Sequence, residues 1–189
     1  MSHRNWQYNI VASKLRAGCV IAYPTEGVWG LGCLPESESA TMKILKSKKR
    51  SWKKGLILLC SEIEQLAPYI CLDNKEAQTL VKSSGKGVTY LVAKTDRVPS
   101  WISGVHDRVA VRVTSHATVK GICESVGQPI VSTSANLSGK PTAKNRFEVV
   151  RYFGQQVDYI VPGKLGDSQG PSKIIDIKSH AIIRPGETR

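Results

Sequence analysis

Acidic residues are scarce in this chain. Asp and Glu number 15 against 27 Lys and Arg, a formal net charge of +12. An excess of this size points to anionic partners: nucleic acid, phosphorylated small molecules, or both. There is no run of about 18 apolar residues, which excludes a transmembrane helix. Met1 to Lys14 alternates polar and apolar residues without the apolar centre of a signal peptide. The five cysteines (Cys19, Cys33, Cys60, Cys71, Cys123) are odd in number and contain no C-x-x-C pair. They read as small hydrophobes of a reducing cytoplasm rather than a disulfide framework. The histidines, His3, His106, His116 and His180, have no ligand partner at metal-site spacing, so no structural zinc is expected. A Walker loop, a G-x-G-x-x-G, a nucleophile elbow, an H-E-x-x-H and a Ser–His–Asp set are all missing, which disfavours a hydrolase.

What is present is 189 residues, 41% hydrophobic and 22% charged. That composition excludes disorder. The length suits one domain, 1–189, able to bury roughly 70% of its unfolded surface without a staple. Apolar periodicity predicts helices over Asn5–Ala17 (apolar face Trp6, Ile10, Val11, Leu15), Ala40–Ser47 behind caps at Ser37 and Ser39, Lys75–Val81, Thr118–Val126 and Phe147–Phe153, with a helical piece at Ile63–Tyr69. It predicts strands at Cys19–Tyr23, Gly27–Cys33, Leu56–Cys60, Val88–Ala93, Val109–Val113, Tyr159–Val161, Lys173–Ile177 and Ala181–Arg184. Pro129–Val131 is expected to be a strand running into a Ser/Thr loop. The alternation makes the fold α/β, with strand order unreadable.

Five constellations could carry chemistry. Lys46, Lys48, Lys49, Arg50, Lys53 and Lys54 crowd around Trp52. They are either the solvated end of a helix or an anion site for a polyphosphate or RNA backbone. Trp52 either stacks on a base or covers the core. Tyr23–Gly32 places Thr25 and Glu26 before three glycines that let the backbone approach a ligand, or simply turn a strand. Ser132-Thr133-Ser134-Ala135-Asn136 follows a strand end, where α/β folds hold ligands and where hydroxyls can bind phosphate or carboxylate; a capped turn is the plainer reading. Arg112, within an alternating strand, must find an anion or face solvent. Arg184-Pro185-Gly186 is a ligand contact or a frayed tail. Cations and hydroxyls together suit stabilisation of phosphoryl charge.

Taken together, Tyr23-Pro-Thr-Glu-Gly-Val-Trp-Gly-Leu-Gly32, Lys48-Lys-Arg50, Lys54-Gly-Leu56, Val109-Ala-Val-Arg-Val113, Ser132-Thr-Ser-Ala-Asn136 and Arg184-Pro-Gly186 occur in the order of the YrdC-like family. Over residues 8 to 186 the chain resembles its short bacterial threonylcarbamoyl-AMP synthases (TsaC type). The resemblance implies a twisted open sheet around a basic concave cavity. It implies synthesis of threonylcarbamoyl-adenylate and pyrophosphate from L-threonine, bicarbonate or CO2, and ATP, for threonylcarbamoyladenosine in tRNA. TsaD, TsaB and TsaE are the pathway partners, Mg2+ accompanies ATP, and neither a membrane nor a structural metal is involved. Position by position, Lys48, Arg50, Lys54, Ser134, Thr142 and Arg184 match nucleotide contacts, with Lys48 and Arg50 as the catalytic cations. Arg112, Ser132 and Ser172 match threonine contacts, and Thr25 and Glu26 lie in the matching cavity loop. The chain departs from longer relatives at Gly27 (threonine there), Lys54 (a nucleotide-binding asparagine), Leu59 (a substrate-contacting histidine) and Arg108 (a threonine that contacts ATP), and from the family's usual pattern at Ser51 (proline) and Gly85-Lys-Gly-Val-Thr89 (Pro-Gly-Pro-Val-Thr). A non-catalytic double-stranded RNA or tRNA-binding module is the rival reading. A carbamoyl-transfer domain, as in larger hydrogenase-maturation proteins, is a second.

Overall fold

The computed structural model describes residues 3–168 and 170–186. Met1 and Ser2, which open the segment read above as lacking a signal sequence, lie outside them. The elements run α1 (His3–Arg16), β1 (Ile21–Pro24), β2 (Trp29–Cys33), α2 (Glu38–Ser47), β3 (Ile57–Cys60), α3 (Asn74–Lys82), β4 (Val88–Ala93), α4 (Ser100–Ser103), β5 (Arg108–Val113), α5 (Ala117–Val126), β6 (Ile130–Ser134), α6 (Arg146–Phe153), β7 (Tyr159–Ile160), β8 (Lys173–Asp176) and β9 (Ile182–Arg184). The described strands form one mixed sheet in the order β7-β1-β2-β6-β3-β5-β4-β8-β9.

Side chains alternate across a strand, so the sheet has two faces of different chemistry. One face carries Leu31, Cys33, Leu58, Cys60, Val92, Val109, Val111, Val113 and Val131, and these form the larger apolar core. Ile44 and Leu45 of α2, Leu80 of α3, Ile102 of α4, and Val149 and Phe153 of α6 cover it. On the other face Ile21, Tyr23, Leu59 and Ile130 pack beneath Val11 and Leu15 of α1 and Val119, Ile122 and Cys123 of α5. The rest of that second face is uncovered by helix and mixed in character, with serines and arginines beside Ile57, Ala110, Leu91 and Ile174.

Local signals explain most boundaries. Ser37 caps α2 by accepting from the Ala40 N–H, and Asp73 with Glu76 forms a capping box on α3. Gly127 ends α5 at φ 75°. Trp6 departs from the expected apolar face: it is 67% exposed, and the buried stripe of α1 is Val11, Ala12 and Leu15. The Ser/Thr segment is strand rather than loop, because β6 runs through Ser134 in antiparallel pairing with β2, Gly30 opposite Ser134 and Gly32 opposite Ser132. The C-terminal arginine sits in β9, with Arg184 opposite Ile174 of β8, rather than in a frayed tail. Among the described residues no helix is long and apolar enough to cross a membrane.

Candidate active site

The uncovered part of the second face floors a cavity of about 300 Å3. Register explains which residues reach it. Ser132 pairs with Ile57, Ile57 with Ala110, Ala110 with Leu91, and Leu91 with Asp176. Cross-strand neighbours point the same way, so Ser132, Ser134, Ile57, Arg108, Ala110, Arg112, Leu91 and Ile174 share the cavity face. Arg-Val-Ala-Val-Arg-Val in β5 thus sends valines to the core and two arginines to the cavity, with small Ala110 between them.

Of the residues matched from sequence, Thr25, Arg50, Lys54, Arg112, Ser132, Ser134, Ser172 and Arg184 line this cavity. Lys48 and Thr142 do not. Lys48 is 3% exposed, and its ammonium donates to the Ser134 carbonyl, to the Asn136 carbonyl (2.7 Å) and to Asn136 Oδ1 (3.2 Å). Those three acceptors use up its three protons, so it ties α2 to the end of β6. Thr142 precedes Ala143, whose backbone is bonded to both Ala135 and Trp29, in a loop behind the cavity wall. Trp52 is 40% exposed, off the core and off the cavity lining.

Arg50 enters the cavity because α2 ends in a left-handed turn at Lys49 (φ 51°), with Lys49 N–H donating to Lys46 and Arg50 N–H to Leu45. Its guanidinium donates to the Gly55 carbonyl at 3.0 Å, while its buried Nε has no partner among the described residues. Burial, and then the nearby Arg184 guanidinium, pull its pKa below the usual arginine range. Two guanidinium groups so placed repel each other until an anion sits between them. Arg184 is steadied by donating to the Ser172 carbonyl at 2.7 Å, and the Ser172 and Thr89 hydroxyls share a bond of 2.8 Å.

Arg112 does not face solvent; it is nine-tenths buried and pairs with the buried Glu26 carboxylate. The other Glu26 oxygen accepts from the Thr114 hydroxyl. Arg112 Nε is buried and has no partner among the described residues. Tyr23 lies flat over Gly30 and Gly32 and donates to Ser132 Oγ at 2.8 Å. A Cβ at Gly32 would stand 2.4 Å from the Val131 carbonyl oxygen, which is why a glycine is needed there.

The structure also shows what surrounds four of the departures. A Cβ at Gly27 would meet the Gly170 carbonyl oxygen at 2.5 Å and that of Ser168 at 2.9 Å, so these two carbonyls occupy the space a threonine side chain would take. Gly166 N–H donates to the Thr25 carbonyl and Ser168 N–H to that of Glu26. Ser51 replaces a proline by capping its own turn, accepting from Lys53 N–H. Leu59 packs in the core under α1 and α5. Arg108 pairs with Asp176. Motif matching found the cations but missed two partners, Glu26 for Arg112 and Asp176 for Arg108. The period-two spacing of Arg108 and Arg112 is the signal that places both on one face.

Burial and then Arg50 pull the Lys48 ammonium down to about 7 from an ordinary 10.5. Between these values the unfolded chain binds the proton and the folded chain releases it, so this group raises stability as pH climbs from about 7 to 10. Relative to Lys48→Met, the wild type is expected to gain up to about 1.4 kcal/mol per pH unit over that window, read as thermal melts. A gap between the two proteins that stays constant with pH would contradict it.

A sequence profile described as "Telomere recombination", of the Sua5/YciO/YrdC family, matches residues 13–186. A protein of Stutzerimonas stutzeri (strain A1501) named threonylcarbamoyl-AMP synthase is 46% identical over 184 residues, covering 96% of this chain and 98% of the relative. P. abyssi Sua5, solved in complex with L-threonine, superposes with a TM-score of 0.88 at 32% identity over 96% of this chain; this chain spans 54% of its length. E. coli YciO superposes with a TM-score of 0.84 at 28% identity, covering 96% of this chain and 90% of that one. With residues 13–186 matched by the profile and a relative 46% identical over 96% of its length, the chain belongs to the Sua5/YciO/YrdC family.

Proposed function

We propose that this protein is a threonylcarbamoyl-AMP synthase, joining L-threonine, bicarbonate or CO2, and ATP into threonylcarbamoyl-adenylate with release of pyrophosphate. The observation that carries this is a single cavity lined by three guanidinium groups, read here as two anion sites. Arg50 and Arg184 lie close enough to repel each other and make the first, and Arg112, braced by Glu26, makes the second. The first site suits a triphosphate, with Lys54 and Ser134 alongside. The second suits an amino-acid carboxylate, with Thr25, Ser132 and Ser172 around it. The relatives' printed names, and L-threonine bound to P. abyssi Sua5, support the same assignment.

In this reading the neutral threonine amine adds to CO2 and loses a proton, giving an N-carboxylate. Its oxygen attacks the α-phosphorus, the bond to the β-phosphate oxygen breaks, and pyrophosphate leaves. Charge develops on phosphate oxygens, so fixed cations are the main contribution of the protein, together with holding three reactants in one place. The nucleophile is already an anion, and Glu26 is engaged on both oxygens, so no carboxylate base is assigned. Lys48 acts from behind, fixing the Ser134–Asn136 turn, and Thr142 acts through the same loop.

The cavity residues do not make a Mg2+ cage. Asp107 is the one carboxylate in its lining, and no cluster of three or more metal-binding side chains occurs among the described residues. Mg2+ would arrive held by the phosphates of ATP, and no step is routed through it. Free thiols and the use of ATP suit the cytoplasm. The exposed Lys46, Lys49 and Lys53 leave cationic surface outside the cavity for tRNA. The labile adenylate would be consumed by the TsaD, TsaB and TsaE proteins.

The test is pyrophosphate release that needs both threonine and bicarbonate, with the adenylate identified by mass spectrometry. ATP turnover indifferent to threonine would overturn the synthase. RNA affinity that falls steeply with salt, without a nucleotide product, would establish the non-catalytic RNA-binding reading instead.

A further inference from the structure

The hydroxyls around the cavity differ in where their protons go. Thr25 donates to the Val28 carbonyl at 2.7 Å, and Ser134 donates to Asn136 Oδ1 at 2.7 Å. Both protons are spent within the protein, which leaves these oxygens as acceptors toward a ligand. Ser132 is the opposite case. Its Oγ accepts from Tyr23 at 2.8 Å and gives its own proton to no described residue. Ser132 also lines the cavity, so that proton is available to whatever the cavity holds. Tyr23 is built into its position. It lies on β1, Ser132 lies on β6, and β2 runs between them. The ring crosses β2 where Gly30 and Gly32 have no side chains: a Cβ at Gly30 would stand 3.1 Å from it, and one at Gly32 2.9 Å. The phenol is completely buried, and burial pushes its ionisation above the ordinary phenol range, so it stays protonated. It has one proton, and no other described acceptor takes it. A hydroxyl that accepts such a bond is polarised to donate the next one.

We propose that Tyr23 is a positioning residue for the amino-acid substrate: by donating to Ser132 it turns the Ser132 proton into the cavity, as a donor to the substrate carboxylate. This rests on the reading of the Arg112 side of the cavity as the amino-acid site, and it deepens that reading by one residue that never touches the substrate. It also gives Gly30 and Gly32 a different purpose from a close approach of backbone to ligand. They clear the path along which a side chain of β1 reaches β6.

The experiment is calorimetric binding of L-threonine and of ATP to the full chain, for wild type, Tyr23→Phe, Ser132→Ala and the double variant, with threonine-dependent pyrophosphate release measured alongside. Tyr23→Phe keeps the ring and removes the donor. Threonine affinity is expected to fall about tenfold in Tyr23→Phe while ATP affinity holds. In turnover the same variant should raise KM for threonine more than it lowers kcat. Ser132→Ala should lose at least as much, and the double variant no more than Ser132→Ala, since Tyr23 acts through Ser132. A merely structural tyrosine would weaken threonine and ATP together, or add its loss to that of Ser132→Ala; either result overturns the proposal, as does unchanged threonine affinity in Tyr23→Phe. Ser132→Ala serves if Tyr23→Phe does not fold, because wild-type threonine affinity in it would overturn the proposal as well. A wild type that bound threonine and lost it in Tyr23→Phe, but released no threonine-dependent pyrophosphate, would sink the synthase reading and leave this one standing.

Discussion

Arg50→Ala is expected to lower kcat/KM for ATP by about 10^2 to 10^3-fold, the size of loss seen when one preorganised donor to a developing charge is removed. Its guanidinium is buried, anchored on the Gly55 carbonyl and crowded by Arg184, with a buried Nε left over. Burial and the neighbouring Arg184 disfavour the charge, and a bound anion would offset both. Arg50→Lys should recover little, because an ammonium reproduces neither the fork nor the anchor. Threonine-dependent pyrophosphate release is the readout, with melting temperature as the control for folding. Near wild-type turnover in Arg50→Ala would remove Arg50 from the proposed phosphate site.

Arg112→Met is expected to cost about 3 to 5 kcal/mol of stability, because it strands the Glu26 carboxylate in a buried site. Glu26 and Arg112 lie 86 residues apart in sequence and meet between the 25–28 turn and the middle of the sheet. The Thr114 hydroxyl can keep one carboxylate oxygen satisfied but cannot supply the missing charge. Adding Glu26→Gln should therefore return a large part of the loss, a coupling visible in a double-mutant cycle by urea denaturation. Both proteins should lose threonine-dependent turnover, since the amino-acid carboxylate would have no guanidinium to meet. Additive losses in the cycle would show that the two groups do not depend on each other.

The elements were readable where a local signal exists, as with the serine before α2. The boundary of β6 was not. Ser132, Thr133 and Ser134 read as loop because hydroxyls are common in turns, yet here they are ladder residues whose opposite neighbours are glycines. A polar strand is stable in this position because one of its faces meets a cavity rather than a core. The candidate site was half legible. Motif matching brought eight residues to one cavity, since each is a short-range pattern. It could not separate Lys48 from Arg50, two residues apart, because what separates them is a left-handed turn at Lys49 and three backbone and amide oxygens contributed from Ser134 at the end of β6 and Asn136 just beyond it. Nor could it reach Glu26 with Arg112 or Asp176 with Arg108, since such pairs exist only once distant strands are laid side by side.

The alternation in β5 has a further consequence, for folding rather than catalysis. A slip of one residue in its pairing would exchange the two faces. Val109, Val111 and Val113 would then line the cavity, and Arg108 and Arg112 would be driven into the apolar core without partners. Few errors of registration could be so heavily penalised. Arg112, proposed to meet the threonine carboxylate, and Arg108 therefore also act as a proofreading mark for an interior strand of the sheet, and a chain that places both arginines correctly on one face has also chosen the one alignment in which the rest of the site exists.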